Sequence, residues 1–168
     1  MTLFYAQPYD ISAEGFYFRS VEEYRSQSAK LKNSYGDRVE EFEIQFIDGD
    51  QIDCELAKIW NLNQVNINAF IEAADEWDET KKIHYIIAVG ECGYSHEETV
   101  SNPDGIVFDI YELSSFKELA EQFIDDGLFG EIPPNLQSYI CYNAIARDLA
   151  IDYCQIRIAN TDLIYLSD

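Results

Sequence analysis

The chain has 168 residues, of which 32 are Asp or Glu and 11 are Lys or Arg, and its formal charge at pH 7 is -21. Hydrophobic residues make up 47% of the chain and aromatic residues 14%, which excludes an acidic disordered segment, because such segments are poor in aromatic side chains. Self-repulsion among the carboxylates opposes folding. A chain that folds in spite of this repulsion is expected to need the negative charge for its function.

The composition also bounds the location of the protein and its metal chemistry. No apolar stretch approaches the roughly 20 residues of a membrane span, and the first ten residues lack the basic start and apolar middle of a signal peptide. We therefore expect a cytoplasmic protein that has no membrane anchor. The spacing of the cysteines contains no CxxC pair, and we expect all of them to be buried free thiols. They are Cys54, Cys92, Cys141 and Cys154.

The first predicted unit, residues 1–50, opens with strands. Residues 3–5 and 16–18 are apolar and aromatic, which is typical of paired strands. Further along, Phe, Ile and Phe alternate with acidic and amide side chains over residues 41–46. This alternation predicts a half-buried strand whose outer face is acidic. The acids of that face are Glu41 and Glu43.

A helix is expected between these strands. Ser20 is followed three residues later by Glu23, which is the spacing of a capping box. The pattern predicts a helix over residues 21–33 that stops before Gly36.

The second predicted unit, residues 51–104, is mainly helical. Apolar residues recur at the spacing of one helix face between Ile67 and Trp77, and acids lie on another face of the same predicted helix. Like charges at this spacing destabilise a helix by roughly 0.2–0.5 kcal/mol per pair. Four acids over roughly 10.5 Å of helix match the phosphate spacing of one DNA strand, about 3.4 Å. These acids are Glu72, Asp75, Glu76 and Glu79. Periodicity does not decide between helix and strand for residues 81–89.

The third predicted unit, residues 105–168, begins with a strand over residues 106–108. Ser115 and Glu118 form a second capping box, and Gly127 marks the end of the helix that they begin. The acids expected on the exposed side of this helix and at its end are Glu118, Glu121, Asp125 and Asp126.

A second helix of the third unit is expected to start at Pro133 and Pro134 and to end near Ile151. Residues 155–166, centred on Asn160, resemble a closing hairpin. The apolar side chains expected to face inward from the second helix are Leu136, Tyr139 and Ile140.

Motifs for catalysis and for metal or cofactor binding are missing from the sequence. A run of acids that starts at Asp48 fails as a calcium loop, because its sixth position is Asp53, not Gly, and its twelfth is Ile59, not Glu. Cys92 with His96 lacks a third residue and a thiol-enzyme signature. No phosphate-binding or dinucleotide-binding loop occurs. We therefore expect no catalytic residues, no metal and no cofactor.

The charge also disfavours direct nucleic-acid binding, which requires a basic surface. It favours binding to a basic partner, and large basic clefts are commonest in nucleic-acid-handling proteins.

The C-terminal third carries a more specific pattern within residues 115–149. It comprises Leu119, Ala120, residues 127–133 (GLFGEIP), Leu136, Tyr139, Ile140, Tyr142 and residues 145–149 (IARDL). This pattern resembles the ArdA family of antirestriction proteins. Those are small acidic proteins, carried largely by plasmids, conjugative transposons and phages. Cys141 departs from the family, which is expected to have Asp at this position.

The resemblance implies an inhibitor, not an enzyme. Members of the ArdA family form elongated homodimers that imitate bent duplex DNA. They occupy the DNA groove of type I restriction-modification enzymes, at the methyltransferase and specificity subunits. The fold expected here is α+β and elongated, with three small units in series that combine short antiparallel sheets with acidic helices. The residues expected to imitate phosphates are Glu41, Glu43, Glu72, Asp75, Glu76, Glu79, Glu118, Glu121, Asp125 and Asp126.

Three other interpretations of the sequence stay open. The chain fits an acidic binding module, for example a phage inhibitor of another nucleic-acid-binding protein. It also fits a protein adapted to a high-salt cytoplasm, although its aromatic content argues against this. The last alternative is a metal-dependent enzyme.

Overall fold

The structure is a computed structural model that describes residues 2–166. Within these residues the chain forms seven α-helices and two antiparallel sheets of three strands each, so the predicted α+β class is confirmed. The chain divides into two compact units, Met1–Ile106 and Val107–Asp168, called unit 1 and unit 2 below.

The sheet of unit 1 contains the strands that the sequence predicts. Its strands are β1 (Leu3–Pro8), β2 (Phe16–Phe18) and β3 (Phe42–Asp48), in the order β2-β1-β3. The first residues of β3 alternate between buried and exposed, as the pattern of apolar and acidic residues requires. Phe42 and Ile44 are buried and Glu43 is exposed.

Helix α1 (Val21–Ser28) begins where the capping box places it. The backbone N–H of Glu23 donates to Ser20 Oγ at 3.2 Å, and the Glu23 carboxylate accepts from the backbone N–H of Arg19 at 2.7 Å. The predicted helix end near residue 33 is wrong, because α1 ends at Ser28. The chain then turns back on itself, and Lys32 pairs with Arg38 in an antiparallel bridge.

Four more helices complete unit 1, and they settle the apolar run at residues 81–89 as part of a helix. They are α2 (Gln51–Trp60), α3 (Ile67–Glu76), α4 (Glu79–Gly90) and α5 (His96–Ser101), followed by a single 3-10 turn at Pro103–Gly105.

One core joins the sheet of unit 1 to its helices. The ring of Phe4 packs edge-on against Phe70 of α3, with centroids 5.9 Å apart. Phe70 in turn contacts Trp60, whose ring lies 5.0 Å from Tyr85 of α4. This aromatic chain crosses the boundary predicted at residue 50. The division of residues 1–104 into two units stays a prediction.

Unit 2 packs two helices and a hairpin around a small core. The hairpin expected at residues 155–166 is confirmed, and its turn has Ala159 and Asn160 at positive φ. Leu119, Phe123 and Ile164 form the centre of the core. The elements are β4 (Ile110–Tyr111), α6 (Phe116–Asp125), α7 (Tyr142–Leu149), β5 (Tyr153–Ile158) and β6 (Thr161–Leu166), with sheet order β4-β6-β5.

Two expectations for unit 2 are wrong. Residues 106–108 form no strand, and the pairing with β6 begins only at Ile110, although Phe108 is buried. The helix expected from residue 133 is a 3-10 turn at Gln137–Tyr139, and α7 starts only at Tyr142 because Ile140 is extended. Apolar residues three apart fit a 3-10 turn as well as a helix. Leu136 and Tyr139, predicted to face inward, are exposed.

Thiols, membrane spans and metal clusters complete the description. None of the four cysteines is in a disulfide, but Cys141 and Cys154 are exposed and Cys54 and Cys92 are only partly buried, so the predicted burial is wrong. Among residues 2–166, no helix is long and apolar enough to cross a membrane. The same residues contain no group of three or more His, Cys, Asp or Glu side chains that could hold a metal ion.

Candidate partner-binding surface

The predicted acids of β3 lie at an edge of the unit 1 sheet. Glu43 is exposed and accepts a hydrogen bond of 3.3 Å from the side-chain amide of Gln45, two residues along the same face. Glu41 is exposed just before the strand, and its carbonyl accepts from the backbone N–H of Tyr9 at 3.2 Å. Sheet pairing of Glu43 with Gln7 and the bond to Glu41 thus fix the backbone from which both side chains project.

The acids predicted to share one helix lie on two helices. Glu72, Asp75 and Glu76 are on α3, which ends at Glu76. Glu79 is the first residue of α4, because Asp78 begins a new helix by accepting from the backbone N–H of Lys81 at 2.8 Å. The predicted continuous stripe, and the spacing of about 3.5 Å per charge inferred from it, are therefore wrong for Glu79. The three acids on α3 keep the spacing of one helix face.

Two of the three acids of α3, Asp75 and Glu76, lie at the end of the helix where acids cost stability. The carbonyl end of a helix carries partial negative charge, and it favours Lys or Arg over Asp or Glu by about 0.3–1 kcal/mol per side chain. Helix α3 has no basic residue in its last turn, which contains Asp75 and Glu76, and no acid in its first turn. Within α3 itself this is the reverse of the stabilising arrangement, and the cation near this end comes from α4, where Lys82 Nζ lies 2.7 Å from the carbonyl oxygen of Ala74.

A buried cation holds the junction between α3 and α4. Lys82 Nζ lies 2.6 Å from Asp53 Oδ1 and 2.7 Å from the carbonyl oxygen of Ala74, in the last turns of α3. Trp77 lies between the two helices and packs against Trp60 and Tyr85. These contacts hold the backbones of α3 and α4 together at the junction from which the acids project.

The predicted acids of α6 in unit 2 do not share one role. Glu118 accepts hydrogen bonds from the backbone N–H and the hydroxyl of Ser114, and these hold the pKa of Glu118 below its ordinary value. Glu121 pairs with Lys117 at 3.4 Å. Asp125 and Asp126 are exposed at the carbonyl end of α6, which repeats the unfavourable placement seen in α3.

Nine of the ten predicted acids are exposed, and Glu121 is half-buried. Among residues 2–166, Glu121 is also the one member of this set with an ion pair. The carboxylates are therefore available to a partner, in the separate groups described for β3, for the α3–α4 junction and for α6.

Sequence reasoning missed Asp78, which is exposed between Glu76 and Glu79 and also caps α4. The signal for it was its residue type, because Asp is among the residues preferred just before a helix, where its side chain accepts a hydrogen bond from a backbone N–H in the first turn. It also missed a basic segment, residues 19–38, because the net charge of the whole chain conceals it.

Comparison with known proteins gives the family. No curated protein sequence matches the chain. A family model described as antirestriction protein (ArdA) matches residues 9–161 of the 168. This match covers most of the chain, including the predicted acids and the C-terminal pattern. The chain therefore belongs to the ArdA family of antirestriction proteins.

Proposed function

We propose that this antirestriction protein is a DNA mimic that inhibits type I restriction-modification enzymes by occupying the DNA-binding groove of their methyltransferase and specificity subunits. The placement of acids on α3 is the observation that carries the proposal. Asp75 and Glu76 are exposed, have no ion pair among residues 2–166 and lie at the helix end where acids destabilise. A partner lined with Lys and Arg supplies the missing positive charge.

Inhibition in this proposal is electrostatic competition. Carboxylates held on α3, α4, α6 and β3 replace phosphates in the groove, and their binding excludes the DNA. Release of counterions from the two charged surfaces favours the complex, so its affinity falls as salt is added. The protein acts by binding in the cytoplasm, without catalysis and without a cofactor.

We also propose that the protein is a homodimer. Unit 2 exposes apolar side chains in one short stretch of chain, including Leu136, which is 50% exposed, and Tyr139, which is 81% exposed. Exposed apolar groups of this kind mark surfaces that are covered by another protein. Two copies have a combined net formal charge of about -42, equal in size to the charge on the phosphates of about 21 base pairs, or roughly 70 Å of duplex.

The test is the methylation rate of a purified type I modification enzyme in the presence of the protein. We expect inhibition at near-equal molar amounts and a steep loss of inhibition as salt is added. An unchanged rate at large excess of the protein rejects the proposal. Recovery of a different nucleic-acid-binding protein from a pull-down, without methyltransferase subunits, favours the alternative of an acidic inhibitor of that protein.

Two variants with equal charge changes localise the effect. One replaces the acids of the α3–α4 junction by Glu72→Gln, Asp75→Asn, Glu76→Gln and Glu79→Gln. The other replaces four exposed acids elsewhere by Glu14→Gln, Glu97→Gln, Asp109→Asn and Glu112→Gln. We expect the first variant to inhibit much more weakly than the second. Equal inhibition by both shows that the junction is not the binding surface.

A further inference from the structure

Unit 1 contains a short segment whose charge is opposite to that of the chain. Residues 19–38, called the basic segment, contain five cations and three acids, a formal charge of +2. The rest of the chain contains six cations and 29 acids. All five cations of the segment are exposed. They are Arg19, Arg25, Lys30, Lys32 and Arg38.

The two groups of cations differ in their partners. Each of the six cations outside the basic segment lies within 3.9 Å of a carboxylate oxygen. Among residues 2–166, none of the five cations in the segment has such a partner, although the protein has an excess of carboxylates. Lys30 Nζ bonds the hydroxyl of Ser26 at 3.2 Å instead. The segment thus keeps positive charge free on the surface of a very acidic protein.

The fold holds these cations in place. Lys32 lies directly opposite Arg38 in the antiparallel bridge, where like charges are unfavourable because the side chains project from the same face. The turn between them is fixed by Asn33 Oδ1, which accepts from two backbone N–H groups, and by Asn33 Nδ2, which donates to Asp10 Oδ2 at 2.9 Å. A rigid turn that brings two cations together is unfavourable for the isolated chain and useful for binding an anion.

The basic segment borders the acids of α3. Arg19 and Asp75 line the same cavity of about 320 Å³, together with Ser20, Ile71 and Ala74. A partner that covers the acidic face of α3 therefore also reaches the start of the basic segment. Such a partner meets carboxylates and unpaired cations side by side. Duplex DNA offers phosphates to the same partner but no cations of its own.

We propose that the basic segment binds a patch of Asp and Glu side chains on the target enzyme, beside the groove that binds the acids of α3. This inference rests on the proposed function. The segment fixes the orientation in which the protein docks, because reversing the orientation would place its cations against the Lys and Arg of the groove. Nucleic acid is a poorer occupant, since a formal charge of -21 repels a polyanion.

Two variants that add the same negative charge at different positions test this inference. The segment variant carries Arg25→Glu, Lys30→Glu and Lys32→Glu, and the control variant carries Lys58→Glu, Arg147→Glu and Arg157→Glu. Both make the chain more negative by six charges, and all six positions are exposed. If charge alone governs binding, both variants inhibit methylation more strongly than the wild type. Our proposal predicts that the segment variant inhibits about tenfold more weakly and that the control does not.

Several outcomes are decisive. Inhibition by the segment variant that equals or exceeds that of the control overturns the inference and leaves the proposed function intact, whereas a wild-type protein without inhibition rejects the proposed function itself. Loss of inhibition together with a change of oligomeric state in sedimentation assigns the segment to a second copy of the chain, which also overturns the inference. If the segment variant is misfolded by circular dichroism, Arg25→Gln, Lys30→Gln and Lys32→Gln replace it, with the same expected direction.

Discussion

Lys82 Nζ lies 2.6 Å from Asp53 Oδ1, and both side chains are buried, at 9% and 6% exposure. The same ammonium group donates to the carbonyl oxygen of Ala74 at 2.7 Å. One cation therefore connects α2, the last turns of α3 and α4, and the carbonyl that it binds belongs to the residue before the exposed Asp75. The geometry of this contact determines how rigidly those carboxylates are presented.

Replacing Lys82 by Met is expected to destabilise unit 1. The change leaves Asp53 buried without a counter-charge and Ala74 without its donor, which costs about 3–5 kcal/mol. Urea denaturation measures the loss. The double variant Asp53→Leu with Lys82→Met is the control, because replacing both partners by apolar groups is often nearly neutral. A single variant as stable as the wild type contradicts this role for the contact.

Replacing the acids in the last turn of α3 is expected to raise stability and lower inhibition. Asp75→Asn with Glu76→Gln removes negative charge from the carbonyl end of the helix, a gain of about 0.3–1 kcal/mol per residue. Thermal denaturation and the methylation assay measure the two effects on one sample. The control is Glu97→Gln with Glu98→Gln, which removes acids from the first turn of α5 and is expected to destabilise slightly. A loss of stability in the α3 variant would contradict the argument.

Gly127 ends α6 with a φ of +74°, in the left-handed region that favours glycine. The backbone N–H of Leu128 donates to the carbonyl of Phe123 at 3.0 Å, which closes the end of the helix. Gly127→Ala is expected to cost about 1–2 kcal/mol, and this cost comes from the backbone alone, since a Cβ there meets nothing within 4 Å. Gly127→Asn is expected to cost less, because Asn tolerates this conformation. Equal stability of the Ala variant and the wild type, measured in urea, would show that the turn relaxes.

Asp10 is expected to make the stability of unit 1 depend on pH. Hydrogen bonds from the Ser12 hydroxyl, the Asn33 amide and the Ser12 backbone N–H hold the pKa of Asp10 below its ordinary value of 3.8. A lowered pKa stabilises the folded state fully above the ordinary value, and the stabilisation is lost as the pH falls through the folded pKa.

Asp10→Asn should therefore lower stability at neutral pH, and the difference from the wild type should disappear in strong acid. Denaturation across the acid range measures it. A difference that is independent of pH would mean that the carboxylate charge is not what stabilises the turn.

The sequence predicted the elements that have local signals, and it missed those that depend on packing. Alternation gave β3, and the capping boxes gave the starts of α1 and α6, because these signals lie within a few residues. The apolar spacing continues from α3 into Trp77, so periodicity did not reveal the break at Asp78. The exposure of Tyr139 was missed because an apolar side chain does not show whether its own unit or a partner covers it.

The predicted site was limited in the same way. The sequence identified the acids that are exposed, because charged side chains are seldom buried without a partner. The capping box identified Glu118 as part of a helix start, yet Glu118 was still predicted to imitate a phosphate together with Asp125 and Asp126, which lie at the opposite end of α6. The free cations of the basic segment were missed because ion pairing depends on the three-dimensional neighbours of each side chain.

Displacement of DNA from a type I modification enzyme tests the central claim most directly. A labelled duplex that contains the recognition site is bound to the enzyme, and the protein is then added at several salt concentrations. If carboxylates replace phosphates in the groove, the duplex is released at near-equal molar amounts of protein, and the protein's own affinity for the enzyme falls steeply with salt. Simultaneous binding of protein and duplex, with the affinity for the duplex unchanged, would contradict the account.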